Sequence, residues 1–311
     1  MKKINCNNCG GKNFHDLLTF ESTEPGSLLS GKQNVVICKN CGLSFINPQF
    51  NENDYNEFYK SIKRKEKITL SKEELLKKKS YQKIYANFLV ENIPSLKGNE
   101  KVLDVGCGMG ALALMLKEKG LNVEGQEVSD YDSEYVREKL KIKVHGNEIF
   151  SSDDYKEAYD ILINSAVIEH VTNPLEFVQS LRSLIKPNGY LYINTDDIFG
   201  MVFRVNGWFK AVHTYYYTMR TLASIIKQAG FNILNVWQMP LLLDGSTYMH
   251  PGNYCTGELN IIAQKKETNN NDKEIYKDDY KKILQKFNEA KEIDLKWKKN
   301  SNSNIYSFAR R

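Results

Sequence analysis

No run of eighteen apolar residues occurs in this 311-residue chain, which excludes a membrane-spanning helix of ordinary length. The opening Met1-Lys2-Lys3-Ile4-Asn5-Cys6 lacks the apolar core of a secretory signal, so a cytoplasmic location is expected. A dominant charge is missing as well. Lys and Arg number 43 against 38 Asp and Glu, and the two signs are interspersed. A nucleic-acid partner calls for a concentrated basic stripe with stacking aromatics. The first fifty residues carry only Lys2, Lys3, Lys12, Lys32 and Lys39, which disfavours RNA. The run Lys63-Arg64-Lys65-Glu66-Lys67 reads as a solvated connecting segment. No internal repeat is evident. What is present, 41% hydrophobic and 26% charged residues, is the balance of a soluble globular protein with room for one full α/β domain and small additions.

Cysteine is scarce but not scattered. Four of the six fall in two Cys-x-x-Cys pairs, Cys6/Cys9 and Cys38/Cys41, each followed by glycine. Such a turn folds two thiolates onto one point, and two turns supply four tetrahedral ligands for zinc. A disulfide reading is weaker without an export signal, and a redox reading would need only one pair. With four protein thiolates the metal keeps no open position, so the zinc expected here is structural. Cys255 stands alone and reads as a packed small residue.

The most informative stretch is Val102-Leu103-Asp104-Val105-Gly106-Cys107-Gly108-Met109-Gly110. An apolar strand runs into a glycine-dense turn, and an amphipathic segment follows over 111–119. Glycines let the backbone approach a ligand, and the helix start presents free N–H groups. The spacing Gly106-x-Gly108-x-x-Ala111 also fits a loose dinucleotide pattern. Asp104 separates the alternatives, since a carboxylate just ahead of the turn repels a pyrophosphate and suits a ligand with a cationic part. S-adenosylmethionine carries an ammonium and a sulfonium.

Strand and helix signals then alternate from 101 to about 265, as a doubly wound sheet requires. Strands are expected over 122–126, 143–145, 159–164 and 190–194, with a late pair over 232–238 and 258–264. Helices are expected over 174–185, stopped by Lys186-Pro187-Asn188-Gly189, and over 218–229, closed by Gly230. The expected organisation is a zinc-ribbon-like module over 1–50 and a helical linker or lid over 51–95. The α/β domain follows over 96–266, and a polar helical tail occupies 267–311. The fold class is α/β: a doubly wound, Rossmann-like, seven-stranded and mostly parallel sheet with the small ribbon and helices added.

Ligands in such folds bind beyond the carboxyl ends of the strands. Glu127 follows the second strand, where an acidic residue accepts ribose hydroxyls. Asn147 and Glu148 follow the third strand and could face an adenine, and Ser165 and Ala166 leave the fourth at the methionine end. With Asp104, Gly106, Cys107, Gly108 and Gly110 they complete the cofactor set. Ile168-Glu169-His170-Val171-Thr172-Asn173-Pro174 and Leu184-Ile185-Lys186-Pro187-Asn188-Gly189 add further motifs. Together with the 102–110 turn they resemble class I S-adenosylmethionine-dependent methyltransferases, over 102–230. The paired Cys-x-x-Cys module narrows the resemblance to methyltransferases of sugar-modifying and surface-polysaccharide pathways. Deoxysugar C-methyltransferases of that kind carry a long extra C-terminal domain, for which this chain has no room.

The resemblance implies direct transfer of a methyl group from a positively charged sulfur, with positioning supplying much of the rate. An O-directed transfer to a sugar, nucleotide sugar or sugar-linked metabolite leads. N- or C-methylation, an RNA acceptor and an NAD-dependent oxidoreductase stay as alternatives. A hydroxyl acceptor needs a base, for which His213 ranks first and His170 second. Glu169 and His170 are also possible metal ligands. Trp208, Tyr215 and Tyr216, before the helix at 218, and Tyr248 and His250, before the last strand, are the candidate acceptor contacts.

Overall fold

The computed structural model describes residues 1–22, 29–61, 70–80, 82–94, 96, 98–198, 209–240, 242–243, 246–247, 257–267 and 275–300. Three strands open the chain: β1 (Phe14–Ser22), β2 (Gly31–Cys38) and β3 (Ser44–Ile46). Three helices follow: α1 (Glu52–Ser61), α2 (Lys72–Lys78) and α3 (Gln82–Asn92). Next come β4 (Lys101–Val105), α4 (Ala111–Glu118), β5 (Asn122–Gln126), α5 (Asp130–Leu140), β6 (Val144–His145), β7 (Tyr159–Ser165), α6 (Pro174–Leu184) and β8 (Ile185–Asp196). The remainder is β9 (Tyr215–Tyr216), α7 (Met219–Gln228), β10 (Phe231–Pro240), β11 (Leu242–Leu243), β12 (Ser246–Thr247), β13 (Gly257–Lys265) and α8 (Tyr280–Asn300).

The apolar strand residues Val102, Leu103, Val105, Ile161, Leu162 and Ile163 are all buried, as a sheet covered on both faces demands. The order is β10-β13-β8-β7-β4-β5-β6. The pairs from β8 to β6 are parallel, while β13 runs antiparallel to both neighbours. From β4 the chain builds outward to β5 and β6, then returns to place β7 on the other side of β4. The carboxyl ends of β4 and β7 therefore flank a topological switch point, where open α/β sheets bind ligands.

Caps fix the helices that feed this edge. Ser129 accepts from Asp132 N at the start of α5, and Asn173 caps α6 with Pro174 in its first turn. Thr218 and Thr221 form a reciprocal capping box on α7. Gly230, at φ 90°, ends that helix, a left-handed turn that favours glycine.

The first three strands form a second, antiparallel sheet, β1-β2-β3-β9. Its fourth strand arrives from far along the chain, with Ser44 opposite Tyr216 and Phe45 opposite Tyr215. Cys38, Leu43 and Phe45 share one buried cluster with Leu181, Leu222 and Phe231. The cysteine-rich segment and the α/β sheet thus share a single core.

Several expected elements differ in detail. β1 was not anticipated; only Leu17 and Ser22 in it are buried, so its apolar alternation is weak. The stop expected at Lys186–Gly189 is a bulge inside β8: Tyr159 pairs with Ile185, and Ile161 already pairs with Tyr190. Asn188 takes φ 60° there, with its carbonyl accepting from Gln264 Nε2 at 3.0 Å. The polar tail yields α8, which is not merely a surface helix, since Ile283 and Phe287 are buried. The basic run 63–67 and Cys255 lie outside the described residues.

Because the core is shared, deletion of residues 1–50 should expose Leu181, Leu222 and Phe231 and abolish cooperative folding of the remainder. Thermal unfolding followed by near-UV circular dichroism checks this; a sharp transition at the full-length midpoint would refute it.

Candidate active site and metal centre

The glycine turn leaves β4 exactly where the switch point requires a ligand cradle. Gly106, Gly108 and Gly110 have φ of 71°, 52° and 72°, a region that disfavours side chains. A Cβ on Gly106 would stand 2.3 Å from Val167 Cγ2, and one on Gly110 would stand 2.9 Å from Val136 Cγ2. A Cβ on Gly108 would meet nothing within 4 Å. Two of the glycines let elements approach, and the third faces open space.

β5 holds the turn in shape. Gly106 N donates to the Gln126 carbonyl at 2.8 Å and to Gln126 Oε1 at 3.2 Å; Cys107 N reaches the same carbonyl at 3.0 Å. The two oxygens of Glu127 accept from Gly108 N and from Ser129 N, each at 2.8 Å. Each oxygen retains a lone pair for a further donor. Gln126 Nε2 donates to Asn147 Oδ1 at 2.9 Å. Glu148 is exposed and folds back onto Gly146 N at 2.8 Å. At the end of β7, Ser165 Oγ donates to Asn194 Oδ1 at 3.1 Å, and Ala166, at φ 55°, donates its N–H to the Asn194 carbonyl at 2.9 Å.

Asp104 is 3% exposed. Burial, with the Glu127 carboxylate nearby, pushes its carboxyl up to about 7 against one backbone N–H, from Ala113. Among the described residues no ion pair reaches it. A buried carboxylate without a counter-charge is costly, and a cationic ligand would relieve that cost.

The other side of the switch point collects the second motif. Glu169, 2% exposed, accepts from Thr195 Oγ1 at 2.8 Å; burial pushes its carboxyl up to about 7. His170 Nδ1 lies 2.9 Å from the Val212 carbonyl and 2.9 Å from the Tyr59 hydroxyl. A carbonyl only accepts, so Nδ1 carries the proton and Nε2 the lone pair. Packing lowers the His170 ring to about 4. His213 packs edge-on against it, with centroids 4.8 Å apart, and its Nδ1 has no hydrogen-bond partner among the described residues. Burial depresses His213 as well.

Four thiols meet at the edge of the core. The Sγ atoms of Cys6, Cys9, Cys38 and Cys41 all lie within 4.8 Å of one another, and the Cys6–Cys41 and Cys9–Cys38 pairs are at 3.5 Å. Tetrahedral zinc–thiolate bonds of about 2.3 Å set sulfur–sulfur separations of about 3.8 Å, so the cluster fits. Two matching knuckles aim it: Gly10 N donates to the Cys6 carbonyl at 2.7 Å, and Gly42 N to the Cys38 carbonyl at 2.8 Å. The thiols hydrogen-bond and repel one another, which raises Cys6 and Cys41. A divalent cation would allow all four to ionise.

The expected residues therefore separate into groups. Asp104, Gly106, Gly108, Gly110, Glu127, Asn147, Ser165 and Ala166 converge on the switch point. His170 and His213 are brought together, and the four cysteines form one cluster. Tyr215 and Tyr216, expected at the acceptor, are instead 0% and 1% exposed. They pair with β3, and Tyr215 OH donates to the Thr172 carbonyl at 3.2 Å. Their aromatic surface is consumed by the shared core. Cys107, at φ unlike its glycine neighbours, packs its sulfur toward β5, where a Cβ on Gly125 would lie 2.7 Å away. Trp208, Tyr248 and His250 lie outside the described residues. Gln126, Tyr59, Asn194, Asp196 and Glu258 were missed. Asp196 ends β8, and Asn194 Nδ2 donates to Glu258 Oε2 at 2.9 Å; the strand-end rule that flagged Glu127 would have flagged Asp196.

With the geometry in place, similarity to known proteins becomes informative. The model of a family described as "Methyltransferase domain" matches residues 61–236, more than half of the chain. The chain belongs to this methyltransferase family. It is 30% identical over 115 residues to a ubiquinone biosynthesis O-methyltransferase of Shewanella pealeana, covering 35% of this chain and 48% of that one. The counterpart from Histophilus somni is 34% identical over 108 residues, covering 31% and 44%. The chain thus spans about half the length of the curated relatives it matches. A solved SAM dependent methyltransferase from Archaeoglobus fulgidus is similar at 20% identity and a TM-score of 0.46, covering 59% of this chain and 94% of that one.

Asp104 and Glu169 titrate higher in the fold than in an unfolded chain, where carboxyls ionise near 4. Their stabilising contribution is complete below about pH 4 and is lost as the pH rises through about 7. Relative to its Asp104→Asn variant, the ligand-free protein should therefore lose on the order of a few kcal/mol between pH 5 and pH 8, since the buried His170 and His213 contribute an opposite slope to both proteins alike. Chemical denaturation of both proteins across this range checks it; a stability difference that does not change with pH would count against the Asp104 assignment.

Proposed function

We propose that the chain is an S-adenosylmethionine-dependent methyltransferase acting on a hydroxyl oxygen of a small molecule. The observation that carries this reading is Asp104: a buried carboxylate, with no cation paired to it among the described residues, at the lip of a turn whose central glycine faces open space. Family membership supports the same reaction class. Bound S-adenosylmethionine would supply an electrophilic methyl group on a cationic sulfur. Asp104 would offset the ligand's positive charge, Glu127 and Asn147 would accept and donate along its ribose and adenine, and Ser165 and Ala166 would border its methionine end. A diphosphate-bridged dinucleotide suits this carboxylate poorly, which disfavours the oxidoreductase alternative.

The acceptor's proton needs a neutral, oriented base. His170 meets both conditions, since the Val212 carbonyl fixes its tautomer and leaves the lone pair on Nε2, 3.9 Å from Glu169 Oε1. His213 ranked first on sequence; its Nδ1 lacks an orienting partner, and this reverses the order. The cysteine cluster would hold structural zinc. The acceptor we favour is a sugar or sugar-linked metabolite, supported by the paired Cys-x-x-Cys module ahead of the methyltransferase core. A second acceptor reading, a precursor in ubiquinone biosynthesis, is favoured by the names of the similar relatives.

Calorimetry should show S-adenosylmethionine binding and NAD failing to bind. Affinity should rise as the pH climbs through about 7, because Asp104 must be ionised to meet the cation, and Asp104→Ala should weaken binding at least tenfold. Binding of NAD in preference would sink the reading.

With labelled donor, product screens against nucleotide sugars and phenolic quinone precursors would separate the two acceptor classes. For whichever is methylated, His170→Ala should lower kcat by about 10²-fold or more with little change in cofactor affinity. An unaltered kcat would remove His170 from the mechanism.

A further inference from the structure

The two residues between Cys6 and Cys9 are not spacers. Asn7 Nδ2 donates to the Thr172 carbonyl at 3.2 Å and to the Tyr215 hydroxyl at 2.5 Å. Both the carbonyl and Oδ1 of Asn8 accept from Gln228 Nε2 on α7, at 3.1 and 2.7 Å. One Cys-x-x-Cys knuckle thereby grips two separate parts of the α/β half.

The part gripped by Asn7 matters most. Thr172 closes the segment that carries Glu169 and His170. The same segment is held from its other side by Thr214, whose N–H and Oγ1 donate to the Glu169 carbonyl at 2.7 and 2.9 Å. Thr214 in turn follows His213 and precedes β9, the strand paired to the cysteine-rich sheet. The histidine pair is thus suspended between Asn7 and β9, both anchored to the thiol cluster. The glycine turn is held differently: it bonds to Gln126 and Glu127 of the β5 edge, and among the described residues no bond runs from it to the cysteine-rich segment.

We propose that Asn7 is a positioning residue, coupling metal occupancy of the four-cysteine cluster to the placement of His170 while leaving the cofactor turn unaffected. The word cofactor rests on the function proposed above; the hydrogen-bonded path from knuckle to His170 does not. Ligation of Cys6 and Cys9 fixes the knuckle backbone, and that fixes the direction of the Asn7 side chain between them. Loss of the metal releases the backbone, and with it the Thr172 carbonyl and the His170 turn. A donor is required, because both of its partners are oxygen atoms and the Thr172 carbonyl can only accept.

The test uses the zinc-loaded full chain with isotopically labelled histidine, read by NMR titration. The groups facing the His170 ring are Tyr59, His213, Glu169 and Lys210, none of which is changed. In Asn7→Ala, and in the near-isosteric Asn7→Asp that lacks the donors, the His170 midpoint should move upward by about half a pH unit or more as its packing loosens. Zinc should stay at one per chain and S-adenosylmethionine affinity within about twofold. Gln228→Leu, which cuts the Asn8 contacts and a bond within α7 to Ser224 Oγ but leaves Asn7 untouched, should leave the His170 midpoint in place. Removal of zinc by a chelator should reproduce the Asn7→Ala shift. The proposal is overturned if the Asn7 variants leave His170 unmoved, if they lose zinc, or if Gln228→Leu moves His170 equally. Failure of the wild type to bind S-adenosylmethionine would count against the proposed function and leave the NMR outcome to decide the coupling.

Discussion

Two residue pairs, Ser44 with Tyr216 and Phe45 with Tyr215, determine how this molecule is put together. They join the cysteine-rich sheet to the segment before α7, alongside the Asn7 and Asn8 bonds and the apolar cluster that the two halves share. With them, β9 is shared: it is an edge of the antiparallel sheet and also the segment that leads from His213 into α7. The consequence is energetic as well as topological. Phe45 packs against Phe14 and Tyr215, and all belong to or touch the cluster that covers one face of the α/β sheet. A strand of two residues has little hydrogen-bond strength of its own. It persists because the aromatic residues beside it are fully buried, each worth about 2 kcal/mol or more of apolar burial.

That constraint divides the switch point into two walls with different supports. On one wall, the β4–β5 edge holds the glycine turn through backbone N–H groups, so its shape depends on glycine conformations and on Gln126 and Glu127. On the other, the Glu169–His170 segment depends on Thr214, Asn7 and the thiol cluster. The two walls also differ electrostatically. Asp104 is buried with no cation paired to it among the described residues, whereas the histidines on the second wall are held neutral by packing. Under the proposed function a cationic ligand would meet the first wall and a proton-releasing one the second.

Much of this was readable from residue types and spacing. The glycine turn, Asp104, Glu127 and the four cysteines announce themselves, because each is tied to a local geometry: left-handed turns, a strand end, a knuckle. The doubly wound sheet follows from alternation of strand and helix, whereas the strand order and the antiparallel setting of β13 between β10 and β8 were not read from it. What was hidden is what depends on distant partners. Tyr215 and Tyr216 look like acceptor contacts in a row of aromatics, and nothing local reveals that β3 covers them. Asn7 and Asn8 look like arbitrary fillers of a Cys-x-x-Cys turn; their partners are 165 and 220 residues away. β1 escaped notice because a strand packed on one side of a small sheet needs few apolar residues.

The arrangement also gives the four-cysteine cluster a place beside the methyltransferase sheet. On the proposed function, methyl transfer from a sulfonium would be limited by alignment rather than by activation, so the wall that carries His170 would have to be held closely. Two residues of β9 and a pair of loop hydrogen bonds would be soft by themselves. A zinc ion held by the four thiols would tie them to metal–sulfur bonds, which scarcely deform. On this view the thiol cluster is a rigid anchor for the histidine pair, and the residues that matter in it are as much Asn7 and Phe45 as the cysteines themselves.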